Sequence, residues 1–176
     1  MDSNRTTPTL RLAGITPEST VDGPGLRFVV FTQGCPHRCP HCHNAHSWDY
    51  EGGAEFTAKQ VIRDLKQKKK GKRGVTFSGG EPFLQAAELL PIAEAALQLG
   101  MDIVIYTGYT YEQLLATNNE SQLALLATAA ILVDGRYIHA LRDIGLRFHG
   151  SSNQRVIDMA ATRAQGEVVL WQGEQC

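Results

Sequence analysis

Apolar residues fall along this chain in short runs separated by longer amphipathic stretches, and the two kinds alternate. The run LRFVVFT (26–32) is rich in branched and aromatic residues and predicts a buried strand. In TAKQVIRDLKQKKK (57–70), Val61, Ile62 and Leu65 recur at helical spacing behind a threonine suited to capping a helix. GVTFS (74–78) predicts a second strand, and FLQAAELLPIAEAALQLG (83–100) a helix that stops at Gly100, with Pro91 marking a start or a kink. DIVIYT (102–107) predicts a third strand, YEQLLAT and ESQLALLAT two helical stretches, and AILVD (130–134) a fourth strand. In the tail, SNQRVIDMAATRA is read as helical and EVVLW (167–171) as a last strand. No internal repeat or low-complexity linker interrupts the pattern.

Strand–helix alternation at this spacing implies an α/β fold with a mostly parallel sheet joined by right-handed crossovers. Glycines and polar residues gather after each predicted strand: a cysteine loop after the first, SGGEP after the second, TGY after the third and DGR after the fourth. Such carboxyl ends are where barrels and open α/β sheets build their sites. The 176 residues suffice for one domain. They hold too few strand–helix units for an eightfold barrel, whose usual length is about 250 residues. An open partial (β/α) barrel is the expectation, as a single domain over 1–176, with 1–10 flexible and 160–176 a less defined C-terminal element.

The composition is ordinary, with 43% hydrophobic residues, 20% charged residues and a net charge of −1. That balance argues against a globally basic nucleic-acid binder. The opening MDSNRTTPTL lacks the apolar core of a signal peptide, and no apolar run approaches the roughly 20 residues of a membrane span. A soluble, cytoplasmic protein is therefore expected. The basic run KQKKKGKR (66–73) reads as a solvated helix end, with a docking patch for an acidic protein as the sharper alternative.

In a reducing compartment, clustered cysteines bind metal or do chemistry more often than they form disulfides. Three of the four cysteines lie in QGCPHRCPHCHN (33–44) with the spacing C-x3-C-x2-C; the fourth, Cys176, ends the chain and reads as incidental. Three close thiolates suit an iron–sulfur cluster, or a zinc ion completed by His37, His41, His43 or His46. Structural zinc usually draws its ligands from two separated pairs, so three cysteines in one short loop favour the cluster. In SGGEP, the glycine pair would let backbone amides approach a ligand, and Glu81 offers a carboxylate to an amino group. Alone, Ser-Gly-Gly is also a plain turn; at the end of the next strand it becomes a second wall of one site. His37 and His46 read as ordinary loop histidines, and Trp48 and Tyr50 as packing for the cysteine loop.

C-x3-C-x2-C after a first strand, with SGGEP after the second, resembles the radical S-adenosylmethionine (SAM) superfamily. VDGPGLRFVVFTQGC followed by CHN resembles, more narrowly, the activases of glycyl-radical enzymes. TGYTYEQL, LVDGRY and LRFHGSSNQRVID are similar to the activating proteins of anaerobic ribonucleoside-triphosphate reductase, and the match runs from about Leu12 to Met159.

The resemblance implies a 4Fe–4S cluster held by Cys35, Cys39 and Cys42, with the fourth iron left open for SAM. A vacant position of this kind separates a catalytic metal centre from a structural one. It further implies reductive cleavage of SAM and transfer of the radical to a glycine of the partner reductase. Ser78, Gly79, Gly80 and Glu81 would bind the methionine end of SAM. His41 and His43 would lie beside the adenine or the radical's path. Asp134 and Arg136 would pair with the ammonium and carboxylate, Asn153 would meet the nucleoside, and Tyr106 to Tyr109 would line the ribose. Asp22 and Gly23 would meet the incoming glycine loop. The family often has an aromatic residue or glycine where this chain has His41. Flavodoxin or a similar protein would supply the electron, and a homodimer is allowed. Rival readings are an activase of pyruvate formate-lyase, a small radical SAM enzyme acting on a metabolite, and a colourless zinc module that binds a partner or RNA.

Overall fold

A computed structural model of the chain describes residues 9–173. The four predicted central strands form where the apolar runs placed them: β2 (Arg27–Thr32), β4 (Gly74–Gly79), β5 (Asp102–Tyr106) and β6 (Ile131–Asp134). They are neighbours in chain order and pair in parallel. The connections carry α1 (Ala58–Lys68), α2 (Ala86–Gln98), and α3 (Tyr111–Ala116) with α4 (Glu120–Thr128). Thr57 caps α1 as expected, in a reciprocal exchange with Gln60. Pro91 lies inside α2, which begins just beyond a 3-10 turn at Pro82–Gln85.

Three strands were hidden from the sequence. β1 (Thr9–Ser19) and β3 (Ala54–Thr57) add antiparallel on one side, and β7 (Arg155–Asp158) adds antiparallel to β6 on the other. The sheet is thus a seven-stranded mixed sheet, parallel at its centre, rather than mostly parallel throughout. The leader expected to be flexible lies outside the described residues up to position 8; Leu10, by contrast, is a buried core residue of β1. The helix expected over residues 152–164 is also corrected. Its first part is β7, and Asp158 then caps a short α5 (Met159–Gln165) by accepting the amide hydrogen of Ala161. EVVLW pairs with β7 only through one bridge, Ile157 to Leu170, and two flanking backbone bonds. Removing the cap with Asp158→Ala is expected to cost about 1 kcal/mol, read by urea denaturation.

Alternation along the strands divides the sheet into two faces. Phe28, Val30, Val75, Phe77, Ile103, Ile105 and Leu132 join the main core with the helices. Arg27, Thr76, Ser78, Val104, Tyr106 and Val133 occupy the alternate positions, towards the other face. A fully buried arginine holds that face together. Arg27 donates to Thr76 Oγ1, Pro24 O and Val75 O, and pairs with Asp102 at 2.6 Å. Burial lowers its pKa from the usual guanidinium value, and Asp102 opposes the shift. Together with the Thr76 hydroxyl, which donates to Asp22 O, Arg27 draws the VDGPG loop across the open face. Gly74 is required here, because a Cβ would lie 2.4 Å from the Arg27 guanidinium and 2.2 Å from Asp102 Oδ1. Among the described residues no helix is long and apolar enough to cross a membrane.

Candidate functional site

The cysteine loop leaves the carboxyl end of β2 and is built from left-handed backbone. Gly34, Arg38 and His41 have φ of 89°, 44° and 60°, which turn the chain tightly enough to bring three cysteines into one loop. At Gly34 a side chain would meet the Tyr50 ring at 3.0 Å, so Tyr50 packs the loop as expected. Cys35 and Cys39 are buried and Cys42 is half-buried; all three are free thiols. Backbone amides serve the sulfurs: those of His37 and Arg38 favour the Cys35 thiolate, and that of Asn44 donates to Cys42 Sγ at 3.4 Å. Burial nevertheless pushes the Cys35 thiol up. Among the described residues no three His, Cys, Asp or Glu side chains are grouped so that they could hold one metal ion. Three free cysteines in one short loop, with amide hydrogens on two of their sulfurs, are a donor set of the kind an iron–sulfur cluster takes.

SGGE fixes this loop to the sheet. The Gly80 amide donates to Thr32 O and the Glu81 amide to Gly34 O, both at 2.8 Å. A Cβ at Gly79 would lie 2.6 Å from Thr32 N, and one at Gly80 would lie 2.3 Å from Gly34 O. The glycine pair admits the protein's own backbone at this point. Glu81 is likewise engaged within the chain. It is fully buried, and its carboxylate accepts from His37 Nε2 (2.9 Å), Thr107 Oγ1 (2.9 Å), Gly108 N (2.9 Å) and Phe83 N (3.1 Å). It joins the cysteine loop to the ends of β4 and β5 and presents no exposed atom to a ligand's amino group. His37 is accordingly no ordinary loop histidine: its ring reaches Glu81 and packs edge-on against Tyr109 at 4.6 Å.

Asp134 departs from expectation for a similar reason. It is 1% exposed and its carboxylate is taken by Arg155 Nε at 2.9 Å, by a second Arg155 nitrogen, and by the Tyr111 amide at 2.7 Å. Its ionic partner in this structure is Arg155, within the chain. Arg155 bridges on to Glu112, and the two carboxylates hold its pKa above the usual guanidinium value. The arginine in turn holds the Glu112 carboxyl down at about 2. A depressed carboxyl stabilises the fold above its unfolded pKa and loses that contribution as pH falls through the folded value. Glu112→Gln is therefore expected to lower stability at neutral pH by about 0.2–1 kcal/mol, discounted for exposure. The difference from wild type should close between roughly pH 4.5 and 2, followed by denaturation at stepped pH.

Arg136 is exposed and donates to His37 O, while Asn153 donates to Arg136 O, so the DGR loop is tied to the cysteine loop. His41 stacks on His139 with ring centroids 4.2 Å apart, and Tyr137 lies between the rings of His139 and His43. Beside Cys42 opens a cavity of about 390 Å³. It brings together Cys42, His43, Ser78, Asp22, Tyr106 and Tyr137, roofed by the segment around Phe148. His41, Asp134, Arg136 and Asn153 do not line it. Burial raises the Tyr106 phenol well above its ordinary range, with Asp22 adding and Arg27 opposing. The basic run 66–73 sits elsewhere, at the amino end of β4, where Lys68 pairs with Asp64, Lys72 with Glu18 and Arg73 with Asp102.

Arg27, Arg155 and Tyr137 were not singled out in the sequence as contributors to this arrangement. One signal was available: an arginine inside an apolar strand must find partners if it is buried.

A family model described as a 4Fe-4S single cluster domain matches residues 21–157. The chain is 36% identical to the anaerobic ribonucleoside-triphosphate reductase-activating protein of Vibrio cholerae over 146 residues, covering 78% of this chain and 91% of that one. It is 35% identical to the protein of the same name from Escherichia coli K12, covering 80% and 93%. A pyruvate formate-lyase-activating enzyme from Clostridium pasteurianum is 38% identical, over 71% of this chain but 55% of its own. The chain belongs to the 4Fe-4S single-cluster family, among the anaerobic ribonucleoside-triphosphate reductase-activating proteins.

Proposed function

We propose that this chain is a single-domain radical SAM activase, shaped as an open partial (β/α) barrel, that installs a glycyl radical on anaerobic ribonucleoside-triphosphate reductase. Cys35, Cys39 and Cys42 would each hold one iron of a 4Fe–4S cluster. When bound, the cluster supplies one electron for the cleavage of SAM, and the radical so formed takes a hydrogen from a glycine of the reductase. Everything else is positioning by the chain. Ser78, His43, Tyr106 and Tyr137 wall the cavity in which SAM would sit. Gly79, Gly80, Glu81 and His37 hold the cysteine loop in register with that cavity. Arg136 and Asn153 brace the loop from the far side, and Asp134 fixes the base of their loop through Arg155. His41 buttresses the loop through His139. Asp22 lines the same cavity as Cys42, where an incoming loop would enter.

The observation that carries the reading is the opening of the cavity at Cys42, the least buried of the three cysteines. A structural metal site is closed by its protein ligands, whereas a catalytic one keeps room beside the metal. The partner assignment rests on length: the chain covers 91–93% of two reductase-activating relatives but 55% of the pyruvate formate-lyase one. The test is anaerobic. The protein is reconstituted with iron and sulfide, reduced and mixed with SAM, with and without the reductase. Release of 5′-deoxyadenosine and a radical doublet on the reductase are expected. Cleavage without the doublet would redirect the assignment to another glycyl-radical enzyme, and a colourless zinc protein inert towards SAM would refute it. A flavodoxin-like reductant is part of the proposal; the basic run lies at the opposite ends of the strands from the cysteine loop.

A further inference from the structure

The segment 138–152 folds back on itself as a hairpin with two differently used sides. Arg142 and Ser151 pair in an antiparallel bridge, Asp143 N donates to Gly150 O, and Ser152 N donates to Leu141 O. One side turns inward, and Leu146, Phe148 and His149 wall the cavity beside Cys42. The other side is open: Ile138, Leu141 and Ile144 are 43%, 42% and 88% exposed. Val21, 75% exposed, stands on the cavity's rim from the VDGPG loop. Single exposed apolar residues are unremarkable, but three within seven positions of a hairpin that also lines a cavity mark a contact surface.

The charge of the hairpin narrows the partner. RYIHALRDIGLRFH (136–149) carries Arg136, Arg142 and Arg147 against Asp143, with His139 and His149 between them. The Arg147 guanidinium lies 5.2 Å from the ring centre of Phe148, a residue of the cavity wall. A second copy of this hairpin would bring like charges together. A phosphate backbone would satisfy the arginines and leave Leu141 and Ile144 without apolar contact. A protein surface offering carboxylates beside apolar side chains satisfies both.

We propose that the outer side of this hairpin is the docking surface for the partner protein, gripping an acidic and apolar surface beside the loop that enters the cavity. The inference rests on the activase reading above and adds where the partner is held. Binding to the organism's own anaerobic ribonucleoside-triphosphate reductase is measured by surface plasmon resonance under anaerobic conditions with the reconstituted protein. Leu141→Asp combined with Ile144→Asp is expected to weaken binding about tenfold or more, as central apolar contacts do. Arg142→Glu is expected to slow association and flatten its dependence on salt. Leu97→Asp, an equally exposed position on α2, should bind as wild type. All of these variants should release 5′-deoxyadenosine at the wild-type rate when the reductase is omitted. Wild-type affinity in the hairpin variants would overturn the proposal. So would a change confined to self-association in sedimentation, which would give the hairpin to a contact between copies. Wild-type protein that cleaves SAM but binds no reductase would overturn the partner assignment, and the docking surface with it.

Discussion

Alanine at Cys35, Cys39 or Cys42 is expected to give a folded protein that assembles no stable cluster, leaves SAM intact and raises no radical on the reductase. The three sulfurs are not interchangeable in their surroundings. Cys35 is buried and served by the amides of His37 and Arg38, Cys39 is buried, and Cys42 is half-buried at the cavity wall with the Asn44 amide on its sulfur. Yet each would anchor a different iron, so each loss removes one corner of the same object, and no neighbouring thiolate can replace it. Among these three, Cys42→Ala should disturb packing least, since its side chain already faces open space. Absorbance near the visible range and iron content after anaerobic reconstitution would read the cluster, 5′-deoxyadenosine release the chemistry, and circular dichroism the fold. Cys176→Ser, outside the motif, should match wild type in all three. A variant at Cys35 or Cys39 that kept full iron content and SAM cleavage would remove the basis for three-cysteine ligation.

The sequence spoke clearly wherever a feature was local. The central strands are continuous apolar runs, and the helices between them carry apolar spacing, with threonine caps on α1 and α3, so both could be read within windows of a dozen residues. β1 mixes Gly14 and Pro17 into its run and β3 is four residues long; each exists because a neighbouring strand offers it hydrogen bonds, which no window contains. SNQRVIDMAATRA reads as one helix, whereas Asp158 ends β7 and caps α5 within it. The candidate site divides along the same line. The three cysteines and SGGE are contiguous motifs and were legible. The partners that Glu81 and Asp134 find within the chain include positions 37, 107 and 155, too far away in sequence for any local window to contain.

Glu81 yields the second large effect, and it separates a structural carboxylate from one that grips SAM. Its two oxygens accept from four groups contributed by the cysteine loop, the turn after β4 and the end of β5. Glu81→Ala would leave these donors buried without a partner and is expected to cost on the order of 3–5 kcal/mol. Glu81→Gln keeps the shape and one acceptor but turns an NH2 group towards the Gly108 and Phe83 amides or His37, and about 1–3 kcal/mol is expected. Urea denaturation of the apoprotein measures both. Hydrogen exchange adds the location: the amides of Cys35 and Gly34, which bond Trp48 O and Ser47 O, should exchange faster once the loop loses its tie to Glu81. A carboxylate that served only to hold the ligand's amino group would behave in the opposite way. Its loss would weaken SAM binding and leave the apoprotein as stable as before, because nothing within the chain would miss it. Four donors converging on a residue with no exposed surface favour the first outcome.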